Sequence, residues 1–221
     1  IVALQGPRAA ELLARATGQE VPALQMYASA ACQIAGHVVC CMRRSYTGEL
    51  GYLLRTAPAA LPEVWNVLWA HREVCKVQAV GLEMLDVARI EAGIPVYGRD
   101  MTEETIPVEA NLEAALSYTK GCYIGQEVIA RIEARGHVNR KLVGLLLDDT
   151  RLPEPGAKIV SPQREVGWIT SSAYSPARLQ NIALGYVRRE VVTPGTPLEV
   201  RTQDSSLHAT VADLPFYTPQ G

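Results

Sequence analysis

The chain has 221 residues, of which 48% are hydrophobic, and its formal net charge is -2. This apolar content is enough for one large or two small packed cores, and the near-neutral charge excludes a general attraction to nucleic acid. No apolar run is long enough to cross a membrane, and the first residues lack a signal-peptide pattern. We therefore expect a soluble protein of the cytoplasm, or of the mitochondrial matrix if the source is eukaryotic.

The first part of the chain, up to about residue 140, alternates between helical and strand-like patterns. Apolar residues recur at helical spacing in some stretches, whereas others are short runs rich in Val, Ile, Leu and Tyr. The predicted elements, in chain order, are a helix from Gly6 to about Ala16, strands at 35–44 and 50–55, a helix from about Leu61 to His71, a short strand, a helix from Gly81 to Ala92 and a helix from Gln126 to Arg135.

The second part, from Lys141 to Phe216, is almost entirely strand-like. Turns that contain Gly, Pro, Asp and Ser separate its apolar runs. This pattern predicts a small antiparallel barrel or sandwich. The predicted strands are Leu142 to Leu147, Val166 to Ser171, Ile182 to Val187, Leu198 to Arg201 and His208 to Ala212.

The five cysteines, at positions 32, 40, 41, 75 and 122, are odd in number and show no CxxC spacing. The four histidines share no metal-ligand spacing either. We therefore expect neither a disulfide framework nor a metal site, and we interpret all the cysteines except Cys122 as packing residues.

Cys122 stands in the segment KGCYIGQE, residues 120–127, between Lys120 and a predicted helix start. An ammonium group and the positive end of a helix both stabilise a thiolate, so the pattern indicates a reactive thiol. The alternative is a small buried cysteine that only packs, which is the commoner case for an arbitrary Cys. The flanking Gly121 and Gly125 favour the first interpretation, because they leave backbone amides free to meet a ligand.

KGCYIGQE, followed by an Arg-bearing helix and by NRKLVG at 139–144, resembles the signature of the YgfZ proteins, which are folate-binding relatives of the aminomethyltransferase GcvT. Three further stretches are similar to aminomethyltransferases in the same order: IVALQGP at 1–7, YTGELGY at 46–52 and EAGIPVYG at 91–98. The resemblance covers most of the chain.

This resemblance implies an α+β fold, in which a ferredoxin-like half of a GcvT-type folate-binding domain precedes a small antiparallel β-barrel. The partial folate-binding domain is expected at 1–118. The KGCYIGQE motif and a connecting helix follow at 119–140, and the C-terminal barrel domain occupies 141–221.

Glu91 is the first candidate for binding tetrahydrofolate or a derivative of it. It lies in the last turn of a predicted helix, where the macrodipole disfavours a carboxylate by ~0.3–1 kcal/mol. A pterin ring offers adjacent N–H donors that a carboxylate accepts together. The alternatives are a surface glutamate or a pair with Arg89 or Arg99, but the resemblance favours the pterin, since the glutamate of the EAG stretch meets it in aminomethyltransferases.

Tyr46 and Lys120 are the other candidates for folate binding. The Tyr46 ring could pack on the folate, or it could close the core as a turn residue with a wet hydroxyl. The charge of Lys120 could meet the anionic glutamate tail of folate, or it could stabilise the thiolate of Cys122. We therefore predict Cys122 and Lys120 as catalytic residues, and Glu91, Tyr46 and Lys120 as folate-binding residues.

IVALQGP resembles a stretch well inside these proteins, so the resemblance implies that a whole ferredoxin-like region would precede Ile1. The catalytic aspartate of the aminomethyltransferases lies in that region and has no counterpart here. Either the sequence is truncated, which we favour because it opens directly on an apolar segment, or the chain needs a partner to complete its site.

Three functions follow from the resemblance. The leading one is a folate-binding YgfZ-like protein that assists iron-sulfur cluster assembly or repair and the tRNA modification that depends on it, with iron-sulfur proteins as partners and only weak or indirect tRNA contact. The second is an aminomethyltransferase of the glycine cleavage system, that is, a folate-dependent one-carbon transferase. The third is a truncated fragment that binds nothing.

Overall fold

The computed structural model describes residues 1–20, 23–162, 164–203 and 205–218. They form two units, Ile1–Arg89 with Thr218 and Ile90–Tyr217. The domain limits drawn from the sequence, at 118 and 140, stay a prediction. Among the described residues, none of the helices combines the length and the apolar character that a membrane-crossing segment needs.

The first unit contains a sheet of four antiparallel strands in the order β1-β4-β3-β2. Its strands are β1 (Val2–Gln5), β2 (Ser29–Ile34), β3 (His37–Arg43) and β4 (Gly51–Arg55). β3 and β4 confirm the two predicted strands. β2 was not predicted, because its sequence SAACQI is rich in Ser and Ala, which favour strands poorly.

Four α-helices lie in this part of the described chain: α1 (Ala9–Thr17), α2 (Leu61–Ala70), α3 (Arg72–Cys75) and α4 (Leu82–Glu91), whose last two residues belong to the second unit. The apolar positions that predicted α1 are all buried, and the helix ends at Gly18 in the left-handed conformation. The short strand predicted between α2 and α4 is wrong. Those residues form α3 and an irregular segment, because the Val77 amide donates to the Arg72 carbonyl and closes a turn instead.

The second unit is built on a closed barrel of six antiparallel strands, which confirms the predicted β-barrel at the end of an α+β chain. The strand order around the barrel is β10-β5-β8-β7-β6-β9. Its strands are β5 (Arg140–Leu147), β6 (Lys158–Ser161), β7 (Arg164–Ser175), β8 (Gln180–Arg188), β9 (Pro197–Arg201) and β10 (Ser206–Ala212), and helix α5 (Gln126–Arg135) precedes them. All five predicted strands and the predicted helix are present, and β6 is an additional strand.

A β-bulge in β7 places two hydroxyl groups on one carboxylate. Ile169 pairs with Gly185 and Ser171 with Leu184, so Thr170 is the extra residue of the bulge. Side chains normally alternate between the two faces of a strand, but here Thr170 and Ser171 both donate to Oδ1 of Asp100, at 2.5 and 2.7 Å. Asp100 is only 1% exposed, so these bonds compensate for burying its charge.

Further hydrogen bonds hold the segment after α4 along the barrel wall. The Val96 amide donates to Oδ2 of Asp100 at 2.9 Å. Near the start of β5, the Leu142 amide donates to the Glu109 carbonyl at 2.7 Å, and the Asn111 side chain donates to the Leu142 carbonyl at 2.9 Å. The segment therefore belongs to the barrel unit and bonds to the edge of β5 at Leu142, before the residues of β5 that pair with β10.

We predict that Asp100→Ala destabilises the barrel unit by about 2–4 kcal/mol, because two buried hydroxyls and one backbone amide lose their acceptor. Urea denaturation followed by circular dichroism measures the change. The matched control is Asp148→Ala, which removes an exposed carboxylate just after β5 and is expected to cost no more than about 0.5 kcal/mol. Equal losses for the two variants would contradict this role of Asp100.

Candidate functional site

Glu91, the last residue of α4, is fixed through both its backbone and its side chain. Its carbonyl oxygen accepts hydrogen bonds from the amides of Phe216 and Tyr217, at 2.8 and 3.2 Å. Its carboxylate accepts a bond from the Ser175 hydroxyl at 2.5 Å and one from the Ala177 amide at 3.2 Å. These donors at the end of β7 compensate for the unfavourable position of the charge at the carboxyl end of a helix.

The pattern of these bonds decides how Glu91 could meet a pterin. Oε1 accepts the bonds from both Ser175 and Ala177, and Oε2 accepts neither. A carboxylate oxygen has about two acceptor positions. Since no donor among the described residues bonds to Oε2, that oxygen can accept one N–H of a pterin, whereas a second N–H would have to displace a donor from Oε1. The residue fits a pterin through one oxygen, and its role in folate binding stays a prediction.

Tyr46 lies in the turn between β3 and β4, and its position is fixed by two contacts. Its amide donates to Oε1 of Gln5 at 2.8 Å, and the guanidinium of Arg44 lies 5.1 Å from the centre of its ring. The same guanidinium lies 6.0 Å from the ring of Tyr27. The half-buried Tyr46 ring thus makes a cation–π contact with Arg44, a residue that the sequence prediction missed although it stands only two positions away.

Lys120 and Cys122 lie on the exposed segment that leads into α5. The ammonium group of Lys120 is 4.8 Å from the centre of the Tyr123 ring, and the Lys120 amide donates to the Ser117 hydroxyl. The Cys122 side chain is exposed, which is the environment of a reactive thiol rather than of a packing residue. The buried thiol of Cys41 is the opposite case, because burial raises its pKa to about 12.

The predicted site residues are divided between the two units. Tyr46 belongs to the first unit, whereas Glu91, Lys120 and Cys122 belong to the second. Lys120 and Cys122 share one short segment. In the part of the chain that the structure describes, no hydrogen bond or ion pair joins either of them to Glu91.

A second charged cluster on the barrel was not predicted. Nε of Arg140 bonds to the buried carboxylate of Glu109 at 2.9 Å, and its guanidinium lies over the rings of Trp168 and Tyr186, at 5.1 and 5.6 Å. Burial, together with the negative charges of Glu109 and Asp100, raises the pKa of Tyr186 to about 12. Glu109 and Arg140 are 31 positions apart, so no local sequence signal joins them.

Across the described ranges, no three His, Cys, Asp or Glu side chains are grouped so that they could hold a metal ion.

The chain matches two parts of one protein family. Residues 1–120 match the GCVT N-terminal domain, and residues 140–218 match the glycine cleavage T-protein C-terminal barrel domain. The first match includes the four-stranded sheet and the second includes the barrel, whereas residues 121–139, with most of KGCYIGQE and helix α5, lie between the two matches.

Curated relatives and a solved structure agree with this match. The chain is 36% identical over 219 residues to an aminomethyltransferase of Saccharopolyspora erythraea and 37% identical over 217 residues to one of Moorella thermoacetica, with 98% of this chain and 59% of each relative covered. The crystal structure of glycine cleavage system aminomethyltransferase T from Bartonella henselae superimposes with a TM-score of 0.83 at 27% identity, covering 97% of this chain and 58% of that one.

The chain thus spans about three fifths of the length of the curated relatives that it matches. These relatives carry the name aminomethyltransferase, and the YgfZ branch predicted from KGCYIGQE is not confirmed. The coarser prediction of a GcvT-type protein is confirmed. Because of its two domain matches and a similarity that extends over 98% of its own residues, the chain belongs to the glycine cleavage T-protein family.

Proposed function

We propose that this chain carries the folate-binding and barrel parts of an aminomethyltransferase of the glycine cleavage type, acting in the cytoplasm. Similarity to proteins of that name extends over 98% of the chain, which supports this proposal over the YgfZ-like function. The observation that carries this proposal is the position of Glu91. Ser175 and Ala177 hold Oε1 of its carboxylate, and no donor among the described residues bonds to Oε2.

Glu91 would orient the pterin of tetrahydrofolate. Ser175 and Ala177 keep the carboxylate in one position through their hydrogen bonds to it. A charged acceptor binds an N–H about twice as strongly as a neutral one. Because the side chain is already immobilised, little conformational entropy is lost when Oε2 accepts a ligand donor.

Tyr46 and Lys120 are the other two residues that we propose for folate binding. The Tyr46 ring, held by the Gln5 bond to its backbone, offers an aromatic surface for folate. Lys120 is exposed, so its side chain is accessible to the anionic glutamate tail of folate. Bound tetrahydrofolate would accept the one-carbon unit, and the residues of this chain would bind and orient the folate.

We predict that Glu91→Gln weakens tetrahydrofolate binding by about tenfold or more, because a charge-assisted hydrogen bond worth ~1.5–3 kcal/mol is lost. Glutamine can still accept the Ser175 bond, so the fold is expected to persist. Titration of the chain, followed by intrinsic fluorescence or calorimetry, gives the Kd.

The matched control for this titration is Glu83→Gln, which changes an exposed glutamate in the first turn of the same helix. We expect it to leave the Kd unchanged. An unchanged Kd for Glu91→Gln would remove Glu91 from the folate site, and absence of binding by the unaltered chain would favour the fragment that binds nothing.

We predict that the complete protein releases ammonia from an aminomethyl-lipoyl carrier only when tetrahydrofolate is present. Ammonia is measured with and without the folate at equal carrier concentration. Folate binding without ammonia release would overturn the aminomethyltransferase proposal and leave the second candidate.

The second candidate is a YgfZ-like protein that supports iron-sulfur enzymes and the tRNA modification that depends on them. One observation favours it, namely the exposed thiol of Cys122 in KGCYIGQE. A thiol that only packed would be buried, like Cys41 and Cys75. In this function Cys122 would be the reactive group, and iron-sulfur proteins would be the partners.

We predict that Cys122 is the fastest of the five thiols to react with dithionitrobenzoate at about pH 8, because it is exposed whereas burial raises the pKa of Cys32 and of Cys41. Cys122→Ser should remove the fast phase of the absorbance change, and Cys40→Ser should retain it.

The same pair of variants tests the function. Under the second candidate, Cys122→Ser fails to restore iron-sulfur enzyme activity in cells that lack the protein, whereas Cys40→Ser restores it. Full restoration by Cys122→Ser would exclude a thiol-dependent role.

A further inference from the structure

An open groove of about 490 Å³ lies on the barrel where β5 begins and β8 ends. Its charged lining consists of Arg140, Arg188, Arg189, Glu165 and Glu190, and Trp168 forms part of its wall. A volume of this size accommodates a small molecule. None of these residues belongs to the proposed folate site.

The charges in this groove are unevenly paired. Arg140 is neutralised by Glu109 at 2.9 Å, and Glu165 is neutralised by Lys158 at 2.8 Å. Arg188 and Arg189 make no ion pair in the described ranges, and both are exposed. Glu190 contributes one negative charge against the two positive charges of Arg188 and Arg189, so an excess positive charge remains in the groove.

The strand register adds a second reason to expect an anion here. Arg188 stands directly opposite Arg140 in the antiparallel β5–β8 ladder, so the two side chains leave the sheet on the same face. Like charges in this position destabilise a sheet. Glu109 offsets the charge of Arg140 only, so the repulsion is reduced further when an anion binds to Arg188.

The backbone fixes the positions of Arg188 and Arg189 at the groove. The Arg189 amide donates to the Asn139 carbonyl at 3.1 Å, which joins the end of β8 to the residue before β5. Arg140 is held separately by its contact with the Trp168 ring. Guanidinium groups bind carboxylates and phosphates through paired N–H bonds, so two adjacent arginines on a fixed backbone suit a ligand with two such groups.

We propose that this groove binds a small ligand with two oxyanion groups, either carboxylates or phosphates, through Arg188 and Arg189. The site is separate from the folate site, and its occupancy does not depend on whether the chain binds folate.

The test is calorimetric titration of the chain at low salt with glutarate as the dicarboxylate and with inorganic pyrophosphate as the phosphate. We expect at least one of them to bind, with an affinity that falls as the salt concentration rises. The probe that binds identifies the class of oxyanion. If neither binds, the proposal is overturned.

The variant for this test is Arg188→Gln combined with Arg189→Gln, which should weaken binding about tenfold or more. The matched control is Arg178→Gln, which removes one exposed arginine from the turn between β7 and β8, at the opposite end of β8. Thermal unfolding of each variant establishes that the fold persists. An equal loss in the control, or no loss in the double variant, would overturn the proposal.

Discussion

The barrel unit depends on one buried carboxylate. Asp100 is almost completely removed from water, and the bulge of β7 turns the Thr170 and Ser171 hydroxyls toward one oxygen of its carboxylate, so that the buried group is hydrogen-bonded. A regular strand would direct one of them into the barrel. The bulge therefore enables a polar segment to pack on an otherwise apolar barrel. This segment consists of the residues from Val96 to Asn111, which make further hydrogen bonds to Asp100 and to β5.

Acidic side chains recur from the end of α4 through this attached segment, each with a different partner. Glu91 accepts from a serine hydroxyl and an amide, Asp100 from two hydroxyls and an amide, and Glu109 from an arginine that stacks on two aromatic rings. Partners of this kind satisfy buried charge with directed hydrogen bonds, which specify one arrangement more strictly than apolar contacts do. The position of Glu91 is thus part of a wider polar interface within the unit.

Much of the fold follows from local patterns in the sequence. The helical spacing of the apolar residues Ala9, Leu12, Leu13 and Ala16 predicted α1, and the apolar runs separated by turns predicted the barrel, because both signals lie within a few residues. β2 was missed since its residues are small, and its strand conformation depends on pairing with β3. The contacts of Asp100 with Thr170 and of Glu91 with Ser175 join residues 70 and 84 positions apart, which no local pattern encodes.

The bonds from the Phe216 and Tyr217 amides to the Glu91 carbonyl have a consequence for how the protein matures. These donors follow β10, the last strand, and are among the last described residues to leave the ribosome. Until they emerge, the backbone of Glu91 lacks two of its partners and the barrel lacks its closing strand. The candidate ligand-binding carboxylate therefore acquires its final position only after β10 and the residues that follow it have been made, so a nascent chain that ends before Phe216 would lack an ordered Glu91.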